Sequence, residues 1–211
     1  MNRPPLRLAP ATVLLALASL PASALPLLSE VLYDATGSDD GALFVELYGT
    51  PGTSLEGWSI EGVNGADGEV THTIPLTGSI PADGVFVVAD ATAEGPTAVA
   101  NADLLANFDF QNGPDSVVLR DALGGAVDAL GYGAFDPGTF FAGEGNAAPD
   151  GAAGTSLARV FANIDTDDNA ADFALLDVPT PGVAPVSPVP EPSGAVLVAT
   201  GLAGLALSRR R

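Results

Sequence analysis

Residues 113–132 read GPDSVVLRDALGGAVDALGY. Two apolar runs, DSVVLRD (115–121) and GAVDALGY (125–132), flank the turn signal DALGG. Val and Leu suit a pleated, half-buried ribbon. Gly124 and Gly125 are free to take the positive φ that a tight hairpin needs. The spacing predicts two antiparallel strands joined by a short turn.

The same grammar recurs on both sides. LLSEVLY (27–33), ALFVELY (42–48), GWSIEGV (57–63), VTHTI (70–74), GVFVVAD (84–90) and SLARVF (156–161) are short apolar runs between Gly, Pro and Asp. In the third, Trp58 and Ile60 alternate with Ser59 and Glu61, so one face is apolar and the other polar. Val85 to Val88 is apolar on both faces, which predicts a central strand. ANADLLANF (100–108) has room for one or two helical turns. No stretch holds a helical period for long. The fold class expected is all-β, an antiparallel β-sandwich.

The chain has 211 residues, no cysteine and a formal net charge of −19. The missing cysteine excludes a disulfide framework, a thiolate zinc site and a cysteine nucleophile. Five of the seven cations lie at the extremes: Arg3, Arg7, Arg209, Arg210 and Arg211. The body keeps only Arg120 and Arg159 against all but one of the 26 acidic residues. Such a surface repels phosphate backbones, so no nucleic-acid partner is expected.

Both ends read as addresses. Arg3 and Arg7 form a positive start, Ala11 to Leu20 is apolar, and Ala22-Ser23-Ala24 offers small residues to signal peptidase. Residues 1–24 are therefore expected as a signal peptide, with Leu25 first in the mature chain. At the other end, Val189-Pro190-Glu191-Pro192 precedes an uncharged run, Gly194 to Leu207, and then Arg209-Arg210-Arg211. As a helix that run spans about 21 Å, short of a hydrocarbon core of about 30 Å. The arginines would stay in the cytoplasm and the body outside. PTPGVAPVSPVPEP, just upstream, reads as an extended, solvated linker. The expected organisation is signal peptide 1–24, β-sandwich 25–182, Pro-rich linker 183–189 and sorting segment 190–211 with a short transmembrane helix.

Two resemblances follow. The Pro-Glu-Pro, apolar run and arginine cluster resemble the PEP-CTERM sorting signal of Gram-negative bacteria. That resemblance implies an exosortase as processing partner, transient insertion in the inner membrane, and delivery to the cell surface or extracellular matrix. The ordered series SEVLYD, FVELYG, LEGWSI, IPADGVFVVAD, GPDSVVLRDALGGAVDALGY, GTSLARV and PTPG is similar to the lamin tail domain. It runs from about Leu27 to Gly182 and implies an immunoglobulin-like sandwich more firmly than it implies a function. The segment from Asp90 to Asn107 and the Gly-rich stretch 133–155 depart from the family's tightest form.

Few residues suggest chemistry. His72 is the one histidine, and no G-x-S-x-G frames a serine nucleophile. Trp58 shares a face with Ile60 and is expected in the core. In DTDDNAAD, Asp165, Asp167 and Asn169 fall at positions 1, 3 and 5 of a calcium loop, with Asp172 as a further ligand. Ala170 and Leu176 stand where an EF-hand needs Gly and Glu, so that pattern fails. Calcium remains a candidate cofactor there and at the second acidic loop, DATGSDDG (34–41), beside the plainer reading of self-capping turns. Arg120 and Arg159 are expected to pair with nearby carboxylates, across strands. Glu30 and Glu46, among apolar neighbours, need an arginine or backbone N–H groups as buried partners.

The function expected is an exported, non-enzymatic structural or adhesive module of the cell surface. Its partners would be signal peptidase, exosortase, and extracellular polysaccharide or other surface proteins. Two rivals stand beside it, a calcium-dependent binding module and a small carboxylate-based hydrolase.

Overall fold

The computed structural model describes residues 25–188. The expected cleavage residues Ala22 and Ala24, the motif Val189–Pro192, the apolar run and Arg209–Arg211 lie outside the described residues. Leu25 is the first described residue and is exposed. No helix among the described residues is long and apolar enough to cross a membrane.

The chain order is β1 (Leu27–Leu32), β2 (Phe44–Tyr48), β3 (Ser59–Asn64), β4 (Val70–Pro75), β5 (Val85–Asp90), β6 (Leu104–Ala106), β7 (Asp115–Arg120), β8 (Ala126–Tyr132), β9 (Ser156–Arg159), α1 (Asn169–Asp172) and β10 (Phe173–Leu176). One sheet has the order β10-β9-β1-β2-β5-β6, the other β4-β3-β7-β8. The hairpin expected over 113–132 is β7–β8, and Gly124 sits at φ 82° in its turn. All eight expected strands form, and the sandwich is nearly helix-free.

Two strands were not anticipated. Residues 104–106, expected to lean helical, instead pair parallel to β5 as β6. The open edge of β5 offers backbone partners that the local sequence does not announce. β5 is fully buried, as its two apolar faces required, but lies one strand from the sheet's edge rather than at its centre. β10 extends the opposite edge by pairing with β9.

The core lies between the sheets. Leu28, Val31, Val45 and Leu47 of one sheet meet Ile60, Val117, Leu119 and Leu130 of the other in one cluster, each fully buried. Trp58 is partly buried against this cluster, in keeping with its shared face with Ile60. The outer faces are covered as well. The Gly-rich stretch folds back over the four-stranded sheet, where Ala142 packs on Val63, Val118 and Ala129. There Phe141 lies so close over Gly131 that a Cβ would clash with its ring, which is why β8 carries glycine at that point.

The Pro-rich stretch from residue 183, expected as a free solvated linker, is seated on the body in its described part. Ala162 N–H donates to the Pro185 carbonyl at 2.7 Å. Asn163 donates to the Ser187 carbonyl at 3.0 Å and accepts from Ser187 N–H at 2.7 Å. Pro185 and Pro188 carry no N–H, and the 162–163 turn holds this extended chain through the Pro185 carbonyl and the backbone of Ser187.

Candidate functional site

Arg159 ends β9 with its side chain pointing into the sandwich, 1 % exposed. Leu157, two residues earlier and on the same face, is core. A buried guanidinium needs several acceptors. Nη2 donates to both carboxylate oxygens of Asp128, at 2.9 and 2.8 Å. Nη1 donates to Asp172 at 3.0 Å, Asp165 at 3.3 Å and the Ile164 carbonyl at 3.2 Å. Nε donates to the Leu28 carbonyl at 2.9 Å, and the group lies 4.5 Å from the Phe173 ring centroid. Asp128 stands on β8, in the other sheet, and also accepts from Leu28 N–H at 2.6 Å. The pair therefore ties β8 to β9 and β1 through the core.

The expectation that Arg159 meets carboxylates holds, but its main partner lies across the two sheets rather than on the neighbouring strand. Arg120 does pair within its sheet: its Nε donates to Glu61 on β3, diagonal to it in the register, at a part-exposed position.

The loop between β9 and α1 packs around this guanidinium. Asp172 accepts from Thr166 N–H at 2.9 Å and from its hydroxyl at 2.7 Å. Asp168 caps α1, accepting from Ala170 N–H, and receives the Asn146 amide at 2.8 Å. Asn169 is fully buried and serves the backbone: its oxygen accepts from Gly131 and Glu144 N–H, and its amide donates to the Ala129 carbonyl at 2.7 Å. Asp167 sits at φ 55°, and its N–H donates to Asp165. Of the four residues expected around calcium, Asp165 and Asp172 therefore turn to Arg159, Asn169 to β8, and Asp167 stays at the loop tip.

A different trio converges. Asp128, Glu144 and Asp165 each place a carboxylate oxygen within 4.8 Å of the others, and no other set of three His, Cys, Asp or Glu does so among the described residues. One oxygen of Glu144, Oε2, is buried without a partner. Burial first, then the charges of Asp128 and Asp165, push the Glu144 carboxyl up to about 8, against the pull of Arg159. Burial likewise pushes Asp128 up while Arg159 and the Leu28 N–H draw it down. Oxygen donors of this kind suit a hard divalent cation. Sequence reasoning missed Asp128 and Glu144 because neither lies in an acidic run.

The other singled-out residues are placed separately. His72 stands on edge strand β4 with a buried Nδ1 lacking a partner, and lines a cavity of about 150 Å³ with Asp39, Asp40 and Asp109. In the loop 34–41, Asp39 accepts from Ala35 N–H at 2.7 Å, a bond that reaches back four residues rather than forward two as an Asx turn does.

No curated protein and no solved structure matches the chain. A family model, that of the Lamin Tail Domain, matches residues 21–134. The matched span holds β1 to β8 and Asp128, whereas Arg159, α1 and β10 come after it. More than half the sequence is covered, in a two-sheet sandwich, and the chain belongs to the lamin tail domain family.

Proposed function

We propose that this lamin tail domain is an exported, non-enzymatic structural or adhesive module of a cell surface or extracellular polysaccharide matrix. It is exported through its N-terminal signal, and an exosortase acting at Pro190-Glu191-Pro192 then sorts it. The observation that carries the structural role is how the buried polar side chains are used. Asp90 holds Gly41 and Phe108 N–H; Asp115 holds Gly65 N–H; Asp128, Arg159, Asn169 and Asp172 hold the β8–β9–α1 corner. These groups fasten loops to sheets and leave the acidic exterior for contact with the surroundings.

Mass spectrometry of both termini tests the sorting half, in membrane, surface and medium fractions. A chain starting at Leu25 and ending near Pro190 to Pro192, found outside the inner membrane, is the expected result. An intact Arg209–Arg211 end held in the inner membrane overturns it. Turnover of any member of a glycan and nucleotide panel overturns the non-enzymatic half.

The convergence of Asp128, Glu144 and Asp165 favours a second reading, calcium-dependent binding. Its mark is a melting temperature that rises in millimolar calcium for the parent protein and not for Glu144→Gln. No rise at millimolar calcium removes it.

A further inference from the structure

Glu30 on β1 and Glu46 on β2 are cross-strand partners on the face of the six-stranded sheet that turns away from the core. Both are almost fully buried, and no cation pairs with either among the described residues. Two adjacent carboxylates beneath a protein surface need strong donors. They find them in the segment 179–183. Glu30 accepts from Thr180 N–H at 2.9 Å and from the Thr180 hydroxyl at 2.8 Å. Glu46 accepts from Gly182 N–H at 2.7 Å.

The remaining contacts brace the pair. Ser156 donates its hydroxyl to Glu30 at 2.5 Å, and Ser29 donates to Glu46 at 2.6 Å. Ser29 is the extra residue at a register shift in β1, which aims its side chain at Glu46.

The segment itself is shaped for this seat. Val183 N–H donates to the Thr180 carbonyl at 3.0 Å, and Gly182 has φ 92°. Pro at the second and Gly at the third position is the signature of a type II turn. Pro179 and Pro181 carry no N–H, so the donors left at 180 and 182 are the two that the glutamates accept. A Cβ at Gly182 would meet Asn101 Nδ2 at 2.5 Å, and that amide donates to the Pro181 carbonyl at 2.8 Å. Side chain, backbone and turn type are thus all read.

We propose that Glu30 and Glu46 form a binding site for a Thr-Pro-Gly turn, filled in cis by residues 179–183. The site fixes the root of the C-terminal segment to the body. With the bonds at Pro185 and Ser187, it carries tension on anything beyond residue 188 into β1 and β2 rather than into a loose linker. This assignment is independent of the sorting reading, because it concerns only described residues and holds whatever acts on the tail.

Hydrogen exchange on the full chain tests it. In Glu30→Ala/Glu46→Ala, amides of residues 177–188 should exchange at least tenfold faster while those of β2 and β5 keep their protection. The peptide VPTPGVAP in trans is the second arm. It should bind Gly182→Ala, whose own turn cannot seat but whose glutamates remain, and should not bind Gly182→Ala/Glu30→Ala/Glu46→Ala. Unchanged exchange over 177–188 in the double variant overturns the proposal. So does failure of the peptide to bind a Gly182→Ala protein whose C-terminal strap, residues 177–188, has lost protection. If the double variant does not fold, Thr180→Val and Gly182→Ala, which change only the strap, carry the exchange arm with the same required outcome.

Discussion

Arg159 and Asp128 meet side by side in the core, one from each sheet, with two hydrogen bonds of 2.9 and 2.8 Å and no exposed side-chain surface. A buried ion pair is a weak source of net stability, but breaking one half of it is costly because the other charge stays buried.

Arg159→Met should therefore destabilise the domain by about 3–5 kcal/mol, since Asp128 and Asp172 lose their cation together. Adding Asp128→Asn should recover part of that loss by removing the orphaned charge. Urea unfolding of the three proteins measures both steps. A single variant within about 0.5 kcal/mol of the parent, the range of ordinary surface substitutions, would deny the pair its tethering role.

Asn169 separates scaffold from ligand. Its side chain serves two N–H groups and one carbonyl, so Asn169→Ala leaves three backbone groups unsatisfied. Each costs about 1–3 kcal/mol when buried. The expected loss is of the order of 3 kcal/mol or more and is equal with calcium and with chelator. A loss seen only in calcium would return Asn169 to the metal.

Stability should rise as pH is lowered from 8 toward 5.5. Burial pushes the Glu144 carboxyl up to about 8, and raises the Glu46 and Asp115 carboxyls above their ordinary values. The folded state then binds protons more tightly than the unfolded chain. The stability these groups contribute is complete below their ordinary values and is lost as pH rises through the raised ones. Asp168 runs the other way: hydrogen bonds from Asn146 hold it low, and its contribution is lost as pH falls through that lowered value. Melting temperatures across pH 4–9 show the balance. A flat or rising profile from 5.5 to 8 contradicts the burial assigned to Glu144.

Tyr33 and Tyr132 stack with centroids 4.1 Å apart and planes at 17°. Burial is the main reason that Tyr33 is pushed up to about 12 and Tyr132 well above its ordinary value. Ultraviolet titration should leave both phenols un-ionised at pH 11 in the folded protein. Tyr132→Phe should remove one of the late-titrating phenols. Ionisation of all three tyrosines below pH 11 without unfolding would contradict their burial.

Much of the architecture was legible in the chain. Alternation, glycine-marked turns and β-branched runs located β1 to β5 and β7 to β9, because a period of two is a local property. The hairpin at 113–132 needed nothing beyond its own residues. The segment 104–106 did not read as a strand, because only the vacant edge of β5 makes it one. The candidate site was half legible. DTDDNAAD drew attention to Asp165 and Asp172, and the need of Glu30 and Glu46 for donors followed from their apolar neighbours.

The sequence by itself determined that this is an acidic, strand-rich sandwich of the lamin tail kind, since strand patterning, turn chemistry and charge are written residue by residue. Only the tertiary structure decided which carboxylates go inside and whom they meet. Arg159 finds Asp128 at a separation of 31 residues, and Glu30 finds Thr180 at 150. Partners so far apart leave no period or spacing to read. Their choice follows from which faces the packed sheets bring together, and from the cost of burying a charge without a donor.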